Sequence, residues 1–410
     1  MKILELPAYF FPERMSSSHL DDSLREALAK SGIEMVIYCP TPTRSITVEM
    51  RNEYKNKKFE KMYDGKATVH RFSLWGEGTN PLLRAMRYTF SCIMQFNRAM
   101  FAKDAKSCDV MFITSTPPIK GAMAGVAKKF NRKPIVYNLQ DIFPDSLVGS
   151  GLARKGGFLW KIGRVIETFT YRNADKIIVI SEDFKKNIMA KGVPEEKIEV
   201  IYNWVDEKSV RPVAKEDNPL YEEFGLDREK YTVVYAGNLG NAQNIGIVLD
   251  AAYMLPEVQF ALFGTGGLEC EIHSRIEKEK LMNVHLNPLQ PMERVSQVYS
   301  LGDACIVSCK AGLGGSAMPS KTWTIMSCGR PVVANFDEGE LKEILEKKDC
   351  GLFTHAGNVQ EFVEAIKKLA DNSELCAEMG KNARRFIEEN LTKEVGTQKY
   401  VDVIKSFEKK

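Results

Sequence analysis

Short apolar strands and helical stretches alternate along residues 1–200, and the same alternation restarts after residue 220. A chain of this pattern buries its strands in doubly wound parallel sheets, and a pattern that restarts builds two of them. In the first half, residues 3–6, 34–39, 69–74, 110–114, 134–139 and 176–180 read as strands, with helices over 19–31, 119–130 and 158–172. Residues 203–220, with Pro212, Pro219 and many charges, have the composition of a linker. Beyond it, 231–236, 258–263, 283–286, 304–308 and 331–335 read as strands. Helices follow from Ile245 and over 292–300, 362–370 and 373–390. A last helix over 397–407 has no strand after it.

The 410 residues exceed what one ordinary core holds, and 44% hydrophobic with 27% charged residues argues against disorder. No run of 18 apolar residues exists, and residues 1–7 read as a first strand rather than a secretory leader. The nine cysteines are scattered, with Cys305 and Cys309 the closest pair and no Cys-x-x-Cys, so reduced thiols in a cytoplasmic protein are expected. The net charge of +3 hides an asymmetry: residues 1–200 carry 32 Lys and Arg against 22 Asp and Glu, whereas residues 201–410 carry 25 against 32. A basic first half suits an anionic surface or substrate, and ordinary solvated faces explain it equally well. No metal-ligand spacing stands out, and nucleic acid is not an expected partner.

In open α/β sheets, ligands sit beyond the carboxyl ends of the strands. Three glycine-rich turns fall there. Gly237, Asn238, Gly240, Asn241 and Gln243 follow one strand and could cradle a diphosphate, or form a structural turn. Gly264 opens Gly264-Thr265-Gly266-Gly267, and no acidic ribose-binding residue of the dinucleotide type follows either turn, which counts against a dehydrogenase. The loop containing Gly315 and Ser316 leads into Ser320 and Lys321. A helix opening at Ser320 turns its positive end and the Lys321 charge toward the same anion. Leu289 and Gln290 offer backbone groups to a nucleobase edge, or simply connect two elements. In the first half, Asp141 ends a strand before Phe143-Pro144 and could orient a hydroxyl or cap a helix, and His19 follows Ser16-Ser17-Ser18. Residues 82–101 and 158–164 interleave aromatic and aliphatic side chains with Arg84, Arg87, Arg98, Lys161 and Arg164, a pattern that suits a membrane surface or helix packing in a core.

Several motifs occur in order: Asp141-Ile142-Phe143-Pro144-Asp145, Ala174-Asp175-Lys176 through Ile180-Ser181, Ile201-Tyr202-Asn203-Trp204-Val205-Asp206, Tyr235-Ala236-Gly237-Asn238-Leu239-Gly240, and Pro319-Ser320-Lys321 through Gly329-Arg330-Pro331-Val332. Together they resemble retaining nucleotide-sugar glycosyltransferases of the GT-B fold, family 4, in the branch that builds bacterial surface polysaccharides, similar to the N-acetyl-fucosamine transferase type. The resemblance implies two Rossmann-like α/β domains facing a cleft: residues 1–206 with a returning helix over 395–410 for the acceptor, and 207–394 for the donor. It implies transfer from a UDP-sugar to a lipid-linked saccharide, without a metal or other cofactor, at the cytoplasmic face of the inner membrane. In that scheme Lys321, Asp141 and His19 serve catalysis. Gly237, Asn238, Gly240, Asn241, Gln243, Gly315, Ser316, Ser320 and Lys321 hold the diphosphate, and Gly264, Leu289, Gln290 and Thr324 the nucleoside. Many members carry two glutamates eight positions apart where this chain has Ser316 and Thr324, which leaves Lys321 as the main cation on the diphosphate. A UDP-sugar epimerase and a non-catalytic sugar-nucleotide-binding protein are the alternatives.

Overall fold

A computed structural model describes residues 1–13, 18–44, 46–76, 80–149, 153–314 and 317–408. The chain divides into two units, Met1–Tyr202 with Gly396–Lys410, and Asn203–Val395.

The first unit holds eight strands: β1 (Lys2–Glu5), β2 (Glu34–Pro40), β3 (Phe59–Met62), β4 (Ala67–Phe72), β5 (Val110–Thr114), β6 (Ile135–Leu139), β7 (Lys176–Val179) and β8 (Ile198–Val200). They lie in the order β3-β4-β2-β1-β5-β6-β7-β8. All neighbours are parallel except β3 and β4, which are antiparallel. The sequence pattern misses β3 and β8 for a physical reason. β3 is an edge strand of sequence Phe-Glu-Lys-Met that buries nothing fully, and β8 is three residues long, so neither shows the apolar run of a central strand.

The helix Ser18–Lys30 is fixed from below by a buried ion pair, Arg25 Nε to Glu5 Oε2 at 3.0 Å, which ties it to β1. The final helix, Lys393–Lys405, contributes its residues from Gly396 onward to this unit. There Tyr400 donates its hydroxyl to Asn138 Oδ1 at 3.0 Å and meets Phe112 edge-on.

The second unit is a six-stranded parallel sheet of β9 (Thr232–Asn238), β10 (Gln259–Thr265), β11 (Val284–Asn287), β12 (Ala304–Ser308), β13 (Val332–Phe336) and β14 (Gly351–His355), in the order β11-β10-β9-β12-β13-β14. β14, an edge strand with a glycine start, is absent from the sequence reading. β12 and β13 are buried at every position, as parallel strands covered on both faces must be. Val233, Phe260, Leu262, Ile306 and Val333 meet Val248 and Leu249 of the helix Ile245–Met254 and Phe362 and Ile366 of the helix Val359–Ala370 in one core.

The structure corrects one expectation about the basic, aromatic helices. On Pro81–Phe101, Arg87 is 1% exposed and donates to Trp75 O and Thr43 Oγ1, so it pins a loop instead of charging a surface. Phe96 is core as well. By contrast Leu82, Leu83, Met86, Phe90, Ile93, Phe158, Leu159, Ile162 and Val165 are exposed.

Candidate functional site

Because every strand of the second sheet is parallel, the carboxyl ends of β9, β10, β11 and β12 share one edge, and most of the predicted donor residues lie on it. β9 ends in Gly237 and Asn238, followed by Gly240 and a short 3-10 turn, Asn241–Gln243. β10 carries Gly264 near its end, and Leu289 and Gln290 follow β11. Ser320 precedes the helix Lys321–Ser327, on which Thr324 lies half-buried. Gly315, Ser316 and Ser17 lie outside the described residues. His19 and Asp141 belong to the first unit, after β1 and β6, two strands apart in the sheet.

Two of the glycine turns lock together. Leu239 N donates to Thr265 O at 3.0 Å, and Leu268 N donates to Leu239 O at 2.9 Å. A Cβ on Gly264 would stand 2.4 Å from Gly237 O, and one on Gly266 would stand 2.5 Å from Leu239 O, so neither position has room for a side chain. The turn after β9 is braced internally: Asn238 Nδ2 donates to Gln243 Oε1 at 3.3 Å, and Ser308 Oγ, at the end of β12, donates to Gln243 O at 2.6 Å. Asn244, in the left-handed region at φ 49°, then turns the chain into the helix Ile245–Met254.

Lys321 crosses to this braced turn. Its Nζ donates to Ala236 O at 3.1 Å and stands 4.1 Å from the centre of the Tyr235 ring, whose hydroxyl donates to Asn238 O at 2.7 Å. Gly237, at φ 144°, leaves the space: a Cβ there would be 2.8 Å from Lys321 Nζ. Desolvation alone pushes the ammonium pKa down to about 8. Among the described residues, no carboxylate forms an ion pair with it. A desolvated cation held by one carbonyl and one ring face is an incomplete site, and an anion completes it.

The sequence singled out Lys321 but not its supports. Tyr235, on which the ammonium rests, reads as one more apolar strand residue, although its place two residues before Gly237 puts it under the turn. Ser308 was equally hidden at the end of an apolar strand. In the loop before Lys321, the Gly312 and Gly314 amides donate to the Asp337 carboxylate at 3.0 and 2.7 Å. A carboxylate of the chain already takes those two donors, so neither amide is open to an anion.

Around the nucleoside positions, Leu289 is 49% exposed. The Gln290 side chain is engaged, donating to Pro288 O and accepting from Arg294 Nη1 at 2.9 Å, which leaves backbone groups for any base contact. In the first unit, His19 is exposed, and its carbonyl accepts from Ser23 Oγ at 2.6 Å. Asp141 keeps an exposed edge, yet desolvation raises its carboxyl pKa against hydrogen bonds from the Ser146 side chain and the Ile142 amide.

The chain as a whole is similar to known proteins. Residues 22–209 match the family described as Glycosyltransferase Family 4, and residues 218–386 match Glycosyl transferases group 1. The chain is 24% identical over 413 residues to an Escherichia coli protein provisionally named colanic acid biosynthesis glycosyl transferase WcaI, covering 99% of this chain and 100% of that one. It is 21% identical to N-acetylgalactosamine-N,N'-diacetylbacillosaminyl-diphospho-undecaprenol 4-alpha-N-acetylgalactosaminyltransferase of Campylobacter jejuni, covering 85% and 89% of the two chains. Among solved structures, Anabaena HepE in complex with UDP superposes with a TM-score of 0.73 at 17% identity, covering 99% of this chain and 100% of that one. A Glycosyltransferase Family 4 domain followed by a Glycosyl transferases group 1 domain makes this chain a glycosyltransferase of the GT-B fold.

Proposed function

We propose that the chain transfers a sugar from a UDP-sugar to a lipid-linked saccharide, with retention, in the synthesis of a bacterial surface polysaccharide. The observation that carries this reading is the desolvated Lys321 ammonium at the convergence of the β9, β10 and β12 turns, without a carboxylate partner among the described residues. The donor's diphosphate is the partner it lacks. As the bond from the anomeric carbon to the β-phosphate oxygen breaks, negative charge grows on the diphosphate, and a preorganised cation stabilises that charge more than it stabilises the bound donor. The acceptor hydroxyl oxygen forms the new bond on the same face, and its proton passes to the departing phosphate oxygen. No protein base is required at that oxygen, which leaves His19 and Asp141 to orient the sugar and acceptor.

UDP as the nucleotide is supported by the UDP complex of HepE, and a lipid diphosphate acceptor by the name of the Campylobacter relative. The donor class is tested by thermal denaturation of the full chain with UDP, GDP and ADP. UDP at a hundred times its Kd is expected to stabilise by roughly 2.7 kcal/mol by mass action, with GDP and ADP well below it. Equal shifts from all three, or none from UDP, would remove the UDP assignment.

The acceptor reading adds a membrane surface. No helix among the described residues is long and apolar enough to cross a membrane. In the first unit, the helices Pro81–Phe101 and Phe158–Asn173 both pack on Ile119–Asn131, and the three expose Leu82, Phe90, Phe130, Phe158 and Val165 with Lys161 among them, while half-buried Arg164 pairs with Glu167. Apolar side chains beside cations suit an anionic interface. Flotation with vesicles containing phosphatidylglycerol is expected to carry the chain up at low salt. A variant with Phe158→Ser, Leu159→Ser and Val165→Ser is expected to stay below, with UDP binding intact. Equal flotation of both proteins would contradict the interface.

A further inference from the structure

The amino edge of the second sheet holds a cavity of about 330 Å³, at the opposite end of the strands from Lys321. Tyr231, Asp303 and Pro331, the residues just before β9, β12 and β13, line it. The first turn of the helix Ser373–Asn390 closes one side through Ser373 and Cys376. The donor turns lie a strand length away, roughly 15–20 Å, so this is a separate concavity in the same unit.

Its cations are incompletely paired. Arg330 donates from Nη2 to Ser300 O at 3.0 Å, while its Nε is buried with no hydrogen-bond partner. Lys230 forms no ion pair among the described residues. Lys215 reaches Asp303 Oδ1 only at 3.9 Å, and the other oxygen of that carboxylate accepts the Thr232 amide at 2.8 Å. Glu229, exposed at the rim, is the remaining carboxylate. Three cations and the first turn of an 18-residue helix therefore line a cavity with the volume of a small-ligand pocket.

We propose that this cavity is a second anion site, and that it binds a small phosphomonoester of sugar-phosphate size. The phosphate pairs with the exposed Lys230 ammonium, and Arg330 and Lys215 in the lining add charge of the same sign. The volume exceeds that of a lone phosphate, and Glu229 and the Asp303 carboxylate at its wall accept from hydroxyls.

The test is a titration of the full chain with inorganic phosphate and with glucose 1-phosphate at constant ionic strength, followed by thermal denaturation and calorimetry. Saturable binding is expected, tighter for glucose 1-phosphate. Lys230→Glu, at an exposed position, is expected to weaken it tenfold or more, about 1.4 kcal/mol, and Lys215→Gln to weaken it by a smaller factor. Lys321→Met is expected to leave it unchanged, which separates this site from the donor site and keeps the result independent of the proposed function. Absence of saturable binding, equal binding by the Lys230→Glu protein, or loss of binding in the Lys321→Met protein would each overturn the proposal.

Discussion

Replacing Lys321 with methionine is expected to lower turnover by roughly a hundred- to a thousandfold, the effect of removing one group that stabilises developing oxyanion charge, while the unliganded protein becomes no less stable. The two effects have one cause. Holding the ammonium pKa near 8 instead of 10.5 means that folding disfavours the charged form. That penalty is about 3 kcal/mol. It is present in full below pH 8 and is relieved between pH 8 and 10.5, because the folded state then no longer holds a charged lysine that the unfolded state still prefers. Methionine fills a similar volume beside Tyr235 without the charge, so at pH 7 the variant's melting point is expected to stay level or rise by a few degrees. Steady-state transfer assays and calorimetry check both halves. A variant that loses activity together with several degrees of stability would make Lys321 a structural residue, and near-normal turnover would remove it from the site.

Gly264→Ala is expected to damage the donor site from behind. The added methyl would lie 2.4 Å from Gly237 O and 2.7 Å from Leu239 Cγ, between a backbone carbonyl and a fully buried side chain. Overpacking of this kind costs roughly 1–3 kcal/mol. It also strains the Leu239 N to Thr265 O bond that joins the two turns. The melting point is expected to fall by several degrees, and the donor KM to rise about tenfold as the turn around Gly237 shifts away from Lys321. Gly267→Ala, three residues on in the same loop, meets nothing within 4 Å and serves as the control. If the two variants behave alike, the packing of the turns does not shape the site.

The parts of this site that are legible in the sequence are those that break an apolar pattern. Gly237, Gly264 and Lys321 interrupt runs of buried residues at strand or helix ends, where a parallel sheet collects its ligands. Tyr235 and Ser308 do not interrupt anything, and only the fold reveals that one cushions the ammonium and the other braces the turn beside it. Arg87 misleads in the opposite direction. Helical spacing marks it as one of several cations on an amphipathic helix, but spacing does not say which cation finds Trp75 O and Thr43 Oγ1 in the interior. The Gly312 and Gly314 amides are a third case, since their partner Asp337 lies more than twenty residues along the chain, beyond a helix and a strand. Strand existence follows the same logic: β12 and β13 are apolar throughout and plain in the sequence, whereas β3 and β14 are edges, partly wetted, and are not.

The most direct measurement is the pKa of the Lys321 ammonium by NMR, with the resonance assigned by its loss in Lys321→Met, in the free protein and at saturating UDP. In the free protein it is expected at about 8. A diphosphate seated on the ammonium replaces the missing counter-charge, so UDP is expected to raise it by about two units. UDP binding is then expected to weaken as pH climbs above 8 and the free lysine loses its proton. A Lys321 pKa that does not move when UDP binds would contradict the assignment of this residue to the donor diphosphate.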